Sequence, residues 1–483
     1  MGGLNGGRRS RHELHLVAVD YGSSSGRVVL GSWDGGRLAM REVHRFHHRP
    51  LEHAGRLVWD AAALAEGLRD GIGAVQAAAR RHGGRCVCAA ISTWGVDYGW
   101  VEPTGRLVGQ LSCHRDPGVA RGAALLDRLI GAQRMFELTG AAPSPITTAA
   151  QIAANPPPVA ARLMLLPDLF AHLLTGQFGA SQAIASTSGL TRPGGALWHP
   201  ELVEAVGIDP ERLPPISPEL TAVGELDPNL PACHGLEPLT VVRAGTHDTA
   251  AATHAALLAG AANTMVASCG SWSVLSVPAD KPVLGEAALR AGLTNEARVD
   301  GGIRVTRNLT GLWMIQQTQR QLEREHTNAD LGELLAQAAA VPAGRALIDV
   351  DDPVYATVGD LPAAIRAAAR RDHHTELDTP GAVVRVILES LAHAYLEVAT
   401  NLEHVTGRTV DTIRLIGGGA HNHLLCQLVA DITRRPVQAG PAEATSLGNL
   451  LAQLAAIDQV TAAEAHEIAL ATSRPRAYLP CAV

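Results

Sequence analysis

The chain has 483 residues, of which 46% are hydrophobic and 3% aromatic, and 47 acidic residues against 40 basic ones give a net charge of −7. This balance argues against general nucleic-acid binding, and no uncharged apolar run reaches the ~18 residues typical of a membrane span. Because the length exceeds the roughly 250–300 residues at which single cores divide, two domains are expected.

The composition of the first twelve residues and the spacing of the cysteines favour a cytoplasmic protein. Residues 1–12, MGGLNGGRRSRH, contain no apolar core, so they are predicted to be a disordered tail rather than a signal peptide. The seven cysteines are scattered and form no C-x-x-C pair. This usage favours reduced, buried thiols in a cytoplasmic protein.

The first predicted elements form an antiparallel meander. LHLVAVD is a strand closed by Asp20, the loop GSSSG follows, and RVVLGSW and RLAMREVHRF are further strands joined by the turn signal DGG. A P-loop and a dinucleotide-binding loop each open a helix, whereas this loop opens a strand. The pattern therefore predicts a hairpin whose loop faces phosphate.

A helix over about residues 59–82 is predicted next, from alanines and leucines at helical spacing. CVCAAISTWGVDYGWVEPTG then indicates a buried strand, a loop and a short second strand. A meander, a helix and a further strand together predict a mixed α/β layer.

The second half repeats the plan of the first. LTVVRAGTHDTAAATHAALLAG predicts strand, loop and helix, and NTMVASCGSWSVLSV predicts two strands around a glycine-serine bend. A long amphipathic helix follows, and then a strand, a triple glycine and a helix in TIRLIGGGAHNHLLCQLVADIT. We predict an internally duplicated α/β fold with domains at 13–245 and 246–483, whose two hairpins face each other across a cleft, where small ligands usually bind.

Six segments together resemble the FGGY family of carbohydrate kinases. They are VAVDYGSSSGRV, STWGVDYG, HDTAAA, GSWSVLSV, RNLTGLWMIQQ and IGGGAHNHLLCQL…AGPAEATSLGN, in family order from about residue 16 to 450. The resemblance implies two ribonuclease-H-like domains, as in the actin-like ATPases, around a central cleft. The first domain would supply the sugar and phosphate side and the second the nucleotide side. TWGVD and NLTGLW carry a narrower likeness, to one kind of ketose kinase.

The resemblance implies ATP as donor, Mg²⁺ as metal and a set of residues that bind them. Asp20 would reach Mg²⁺ through water, and the alternative is an aspartate that starts an Asx turn. Arg27 can pair with phosphate oxygens, or form a surface ion pair. The expected ATP-binding residues are Ser23, Ser24, Ser25, Gly26, Arg27, Ser271, Gln316, Gly418 and Gly419.

Asp248 is the expected catalytic residue. A sugar hydroxyl needs an acceptor for its proton, and a carboxylate within hydrogen-bond reach can serve as general base. The alternative is a plain N-cap, since an aspartate before TAAATHAALLAG would cap that helix well.

The resemblance also implies a sugar side. Its expected substrate-binding residues are Gly95, His247, Asp248, Thr249 and Asn308. A glycine at 95 would leave room for a sugar ring. Trp94 could offer an apolar wall to the sugar or pack in the core, and Asp97 could accept sugar hydroxyls or only order its loop.

The expected function is ATP-dependent phosphorylation of a small ketose, with neither nucleic acid nor membrane as partner. The alternatives are a kinase of another ketose within the same family, such as fuculose, xylulose or ribulose, and an actin-like nucleotide switch. A switch would hydrolyse ATP without sugar stimulation.

Overall fold

The computed structural model describes residues 13–22, 24–258, 263–326 and 329–481, so the predicted tail over 1–12 lies outside the described residues. The first half contains, in chain order, β1 (Leu14–Tyr21), β2 (Ser25–Trp33), β3 (Leu38–His47), β4 (Pro50–His53), β5 (Arg56–Trp59), α1 (Ala61–Arg81), β6 (Cys86–Thr93), β7 (Tyr98–Val101), β8 (Leu107–Val108), α2 (Val119–Leu129), α3 (Ala132–Thr139), α4 (Thr148–Ala154), β9 (Arg162–Leu165), α5 (Leu166–Thr175), β10 (Ala180–Ser181), α6 (Gln182–Ala185), α7 (Pro200–Ala205), β11 (Ile216–Ser217), β12 (Thr221–Glu225) and β13 (Thr240–Arg243).

The second half contains, in chain order, α8 (Asp248–Leu258), β14 (Thr264–Cys269), β15 (Trp272–Ala279), α9 (Glu286–Arg290), β16 (Thr294–Ala297), β17 (Ile303–Thr310), α10 (Trp313–Arg324), α11 (Leu331–Ala340), α12 (Pro353–Thr357), α13 (Leu361–His373), α14 (Pro380–Thr406), β18 (Thr412–Ile416), α15 (His423–Thr433), β19 (Val437–Ala439), α16 (Ala444–Ala456), α17 (Ala462–Ser473) and β20 (Arg476–Tyr478). Short 3₁₀ helices cover Pro210–Arg212, Pro231–Cys233 and Gly418–His421.

The first main sheet has the strand order β12-β13-β6-β1-β2-β3. The predicted meander is present, since β1 pairs antiparallel with β2 and β2 antiparallel with β3. Strands β1, β6 and β13 are mutually parallel. Because successive side chains of a strand alternate between faces, Val17 and Val19 pack in the core that includes α1, while Leu16 and Ala18 pack in a second core on the other face.

The second main sheet repeats this arrangement and confirms the predicted duplication. Its order is β16-β17-β15-β14-β18-β19-β20, in which β14 and β15 form an antiparallel hairpin. Strands β14, β18 and β19 run parallel, as β1, β6 and β13 do in the first sheet. The domain boundary near residue 245 stays a prediction. In chain order, β13 is the last strand of the first sheet and β14 is the first strand of the second.

Two helices from opposite ends of the second half, α8 and α16, lie between the main sheets. Leu447 and Leu450 of α16 pack with Leu16 and Ala18 of the first sheet, while Ala252 of α8 shares a cluster with strands of the second sheet. The helices cross closely: a Cβ built on Gly448 would lie 1.8 Å from the carbonyl oxygen of Ala251. This crossing joins the two sheets.

A buried polar network fixes α16 on the first sheet. Asn449 Nδ2 donates to Ser92 Oγ at 2.9 Å, and Gln453 Nε2 donates to the carbonyl oxygen of Val17 at 2.9 Å. Ser92 in turn donates to the carbonyl oxygen of Gly245 at 2.6 Å. The network therefore connects α16 to the loop that precedes α8.

The structure also bears on the cysteine and membrane predictions. Six cysteines are buried free thiols, and Cys481 is exposed. No helix in the described part of the chain has the length and apolarity that crossing a bilayer requires.

Candidate active site

The candidate site lies at the edge of the first sheet where three parallel strands end. Tyr21, at the end of β1, pairs with Thr93 at the end of β6, and Thr93 forms a bridge with His247. The Thr93 amide donates to the carbonyl oxygen of Thr246 at 3.0 Å. Because neighbouring strands lie about 4.8 Å apart, the bend after Asp20 and the start of α8 lie roughly 10 Å apart on one edge.

The first hairpin holds Asp20 and Arg27 together. They are register partners on β1 and β2, and Arg27 Nη2 donates to Asp20 Oδ2 at 2.8 Å. Arg27 also forms an ion pair with Glu443, at the start of α16. Burial raises the pKa of the Asp20 carboxyl, and the guanidinium of Arg27 opposes this only in part.

The serines of this loop differ in what the structure shows. Ser23 lies outside the described residues, Ser24 is exposed, and Ser25 begins β2. Gly26 lies within β2, and a Cβ there would lie 2.1 Å from the Phe46 ring. The glycine is therefore needed for packing beneath Phe46.

Asp248 is the first residue of α8, and its side chain is one-quarter exposed. Its Oδ1 accepts hydrogen bonds from the amide of Thr249 at 2.6 Å and from Thr249 Oγ1 at 3.1 Å. An N-cap side chain instead accepts from the second or third following amide, so the capping alternative does not describe this bond pattern. Burial first, and then the negative charge of Asp20, raise the pKa of Asp248 to about 7.

His247 lies between charged groups on both sides, and two of them, Arg304 and Glu296, lie outside the HDTAAA segment. Arg304 Nη2, from β17, donates to His247 Nδ1 at 2.9 Å and also pairs with Glu296 of β16. On its other side, His247 Nε2 lies 3.4 Å from Asp248 Oδ1. Burial lowers the pKa of His247 to about 4, although Glu296 acts in the opposite direction.

Glu219 holds the backbone that leads into the site. Its Oε2 accepts from the amide of Gly245 at 2.8 Å, and its Oε1 accepts from Thr246 Oγ1 at 2.6 Å. Burial raises the pKa of this carboxyl, while its hydrogen bonds act against the shift. Glu219 therefore sets the course of the chain just before His247.

The loop after β6 is ordered by Thr187 and Asp97. A Cβ on Gly95 would lie 2.9 Å from Thr187 Oγ1, so this glycine makes room for a neighbouring side chain. Its expected role in leaving room for a sugar ring stays a prediction. Thr187 Oγ1 accepts from the amide of Val96 at 3.1 Å, and Val96 has a φ of 69°, which is strained for a β-branched residue.

Asp97 is fully buried and accepts four hydrogen bonds. Its Oδ2 accepts from Trp59 Nε1 and Trp94 Nε1, each at 2.7 Å, and lies 2.7 Å from His114 Nδ1. Gln151 Nε2 donates to its Oδ1 at 3.1 Å. These bonds show that Asp97 orders the loop, and Trp94 is nine-tenths buried.

The second hairpin and the triple glycine lie together. Ser271 lies in the turn between β14 and β15, and its Oγ donates to Oε1 of Gln316 on α10 at 3.3 Å. A Cβ on Gly419 would lie 2.5 Å from Cys269 Sγ, at the end of β14, whereas a Cβ on Gly418 would meet open space. Asn308 is exposed on β17, opposite Val274 of β15. Ser271, Gln316 and Gly419, all predicted on the nucleotide side, are thus adjacent.

Several residues of the site carry no local sequence signal. Arg304, Glu296 and Glu219 reach the loop around His247 from distant parts of the chain. Glu443 lies in the segment AGPAEATSLGN, but only its ion pair with Arg27 shows where its side chain lies. Arg304, Glu296 and Glu219 are buried, whereas the Glu443 side chain is about half exposed.

The family models match both halves of this chain. The N-terminal domain of the FGGY family of carbohydrate kinases matches residues 15–255, and the C-terminal domain of the same family matches residues 265–457. The chain belongs to the FGGY family of carbohydrate kinases and is a carbohydrate kinase.

Curated relatives narrow the comparison within the family. A rhamnulokinase of Bacteroides thetaiotaomicron is 31% identical over 454 residues, covering 92% of each chain. A rhamnulokinase of Enterococcus faecalis is 30% identical over 465 residues, covering 95% of this chain and 92% of the relative.

Solved structures confirm the two-domain fold. Xylulose kinase from Rhodospirillum rubrum superimposes with a TM-score of 0.78 at 19% identity, covering 97% of this chain and 94% of that one. Glycerol kinase from Plasmodium falciparum, solved with ADP, gives a TM-score of 0.75 at 15% identity with the same coverage. At these identities the likeness concerns the fold alone.

Proposed function

We propose that this enzyme transfers the γ-phosphoryl group of ATP to the 1-hydroxyl of L-rhamnulose, with Asp248 as general base. The products are L-rhamnulose 1-phosphate and ADP. FGGY kinases use ATP as their phosphoryl donor. The observation that carries the proposal is the placement of Asp248 on the same sheet edge as the Asp20 hairpin, in a chain about 30% identical to rhamnulokinases over 92% of its length.

Asp248 has the environment that a general base needs. With a pKa of about 7, Asp248 is partly ionised at neutral pH, and its carboxylate is a stronger base than that of an ordinary aspartate. The two hydrogen bonds from Thr249 go to Oδ1, which leaves Oδ2 to accept the proton of the sugar hydroxyl. The proton leaves the hydroxyl as its oxygen bonds to phosphorus.

The two hairpins supply the groups for the triphosphate. Ser24, Ser25 and Arg27 lie on the first hairpin, and Ser271 and Gln316 lie at the second. Phosphoryl transfer depends on positioning and charge neutralisation, which hydroxyl, amide and guanidinium donors provide. The space beside Gly418, where a Cβ would lie, is open and allows the adenosine to lie against the backbone.

The residues at this edge fit a magnesium ion. The described residues contain no group of three or more ligating side chains, so an ion would depend on phosphate and water for most of its ligands, as Mg²⁺ commonly does. Asp20 and Asp248 are close enough for the charge of one to raise the pKa of the other, and a divalent cation would relieve that repulsion. When bound, the ion neutralises phosphate charge. Asp20 would hold it through water.

A ketose panel with ADP detection tests the substrate. We expect kcat/KM for L-rhamnulose to exceed the values for fuculose, xylulose and ribulose by about tenfold or more, since one hydroxyl bond in a closed site discriminates strongly. ADP release should require both sugar and Mg²⁺. A higher value for another ketose would contradict the substrate assignment, and sugar-independent ATP hydrolysis would support the nucleotide-switch alternative.

A further inference from the structure

A buried ion pair from the second sheet reaches the candidate base through His247. Glu296 and Arg304 are register partners on β16 and β17, and both side chains are buried, that of Arg304 completely. The Arg304 guanidinium also donates from Nη1 to Thr253 Oγ1 at 3.2 Å. Thr253 belongs to α8, the helix that begins at Asp248. Glu296 and Thr253 therefore fix the position of the guanidinium beside the imidazole.

The direction of the next hydrogen bond is fixed by chemistry. A guanidinium has donors and no acceptor, so the 2.9 Å bond from Arg304 Nη2 requires a lone pair on His247 Nδ1. A neutral imidazole with a bare Nδ1 carries its proton on Nε2. His247 Nε2 lies 3.4 Å from Asp248 Oδ1, so the N–H is presented to the carboxylate.

We propose that Arg304 is a positioning residue that keeps Nδ1 of His247 unprotonated, so that the Nε2–H group is presented to the Asp248 carboxylate. The proposal deepens the proposed function, because its catalytic consequence rests on Asp248 being the base. Glu296 balances the charge of Arg304, which allows the guanidinium to stay buried.

The alternative protonation states of His247 would each change the state of the Asp248 carboxyl. Without Arg304, Glu296 Oε2 is the group left facing Nδ1, at 3.5 Å, and it can accept a proton from it. A proton on Nδ1 gives one of two forms. An imidazolium would pair with Asp248 and lower its basicity. The Nδ1–H tautomer would turn a lone pair toward the carboxyl and favour its protonated form, which cannot accept the hydroxyl proton.

The test measures the imidazole nitrogens directly. In protein with ¹⁵N-labelled histidine and without ligands, His247 is identified by comparison with H247Q. We expect wild-type His247 to show a bare Nδ1 and a protonated Nε2, and R304M to show a protonated Nδ1. The readout does not involve turnover, so it is independent of whether Asp248 is the base. A protonated Nδ1 in the wild type, which needs no variant to fold, would overturn the proposal.

Kinetics of matched variants separate positioning from a loss of stability. Arg385 and Glu389 on α14 form another buried ion pair, with Arg385 Nε donating to Glu389 Oε1 at 2.7 Å. We expect R304M to lower kcat about tenfold or more with KM for ATP unchanged, R304K to recover part of that loss, and R385M to stay within about twofold of wild type. An equal loss of kcat in R385M, or a bare Nδ1 in R304M, would refute the role of Arg304.

Discussion

Replacing Asp248 by asparagine should lower ketose-dependent turnover by about a thousandfold, the range expected when a general base is removed. The asparagine amide keeps the size of the side chain and the oxygen that accepts from Thr249, but it cannot take up the hydroxyl proton. The affinity for ATP, measured by calorimetry, should remain within a few-fold of the wild-type value. Normal turnover in D248N would remove the base assignment.

The same variant should gain stability at high pH. Asp248 has a pKa of about 7 in the folded protein, well above the usual value for aspartate in an unfolded chain. The folded state therefore holds this proton more tightly, and its stability is greatest below the unfolded pKa and falls as pH rises through about 7. An asparagine does not titrate, so D248N avoids that loss.

Urea unfolding without ligands measures this effect. We expect the unfolding free energy of D248N to exceed that of the wild type by about 2–4 kcal/mol at pH 8, and the difference to shrink toward pH 4. This result would also show that lost turnover in D248N is not caused by unfolding. A variant that is less stable than wild type at pH 8 would contradict a raised pKa at Asp248.

Local features of the sequence were sufficient for the main elements. The first hairpin, the helix predicted over 59–82 and observed at Ala61–Arg81, and the strand–loop–helix around THDTA all depend on neighbouring residues. Hydrophobic periodicity and the residues typical of turns predict such short-range structure well. The duplication was visible for the same reason, because it repeats a local pattern.

Long-range contacts explain what the sequence did not reveal. Arg304 bonds to a histidine 57 positions earlier in the chain, and Glu219 holds the amide of Gly245, 26 positions later. The sequence also did not predict that Phe46 and Thr187 occupy the space that a Cβ on Gly26 or Gly95 would need. Nothing in the local pattern identifies such a neighbour. Only the packed structure does.

Replacing Gly448 by alanine should strongly lower the stability of the fold. Its Cβ would lie 1.8 Å from the carbonyl oxygen of Ala251 and 2.6 Å from the carbonyl carbon. These are backbone atoms of α8, so the clash cannot be relieved by a side-chain rotation. We expect a loss of about 3 kcal/mol in unfolding free energy, at the upper end of the usual range for overpacking, measured by urea unfolding.

The matched control is G73A in α1, where an added Cβ would meet only Leu236 Cδ2 at an ordinary 3.5 Å. There the substitution should be neutral or stabilise by up to about 1 kcal/mol, because alanine favours helix more than glycine. Relief of the clash in G448A would require α8 to move away from α16, and Asp248 begins α8. A folded fraction of G448A should therefore also show reduced kcat, while G73A should not. Equal stability of the two variants would mean that the helices can separate without cost, and that their crossing does not set the position of the Asp248 carboxyl.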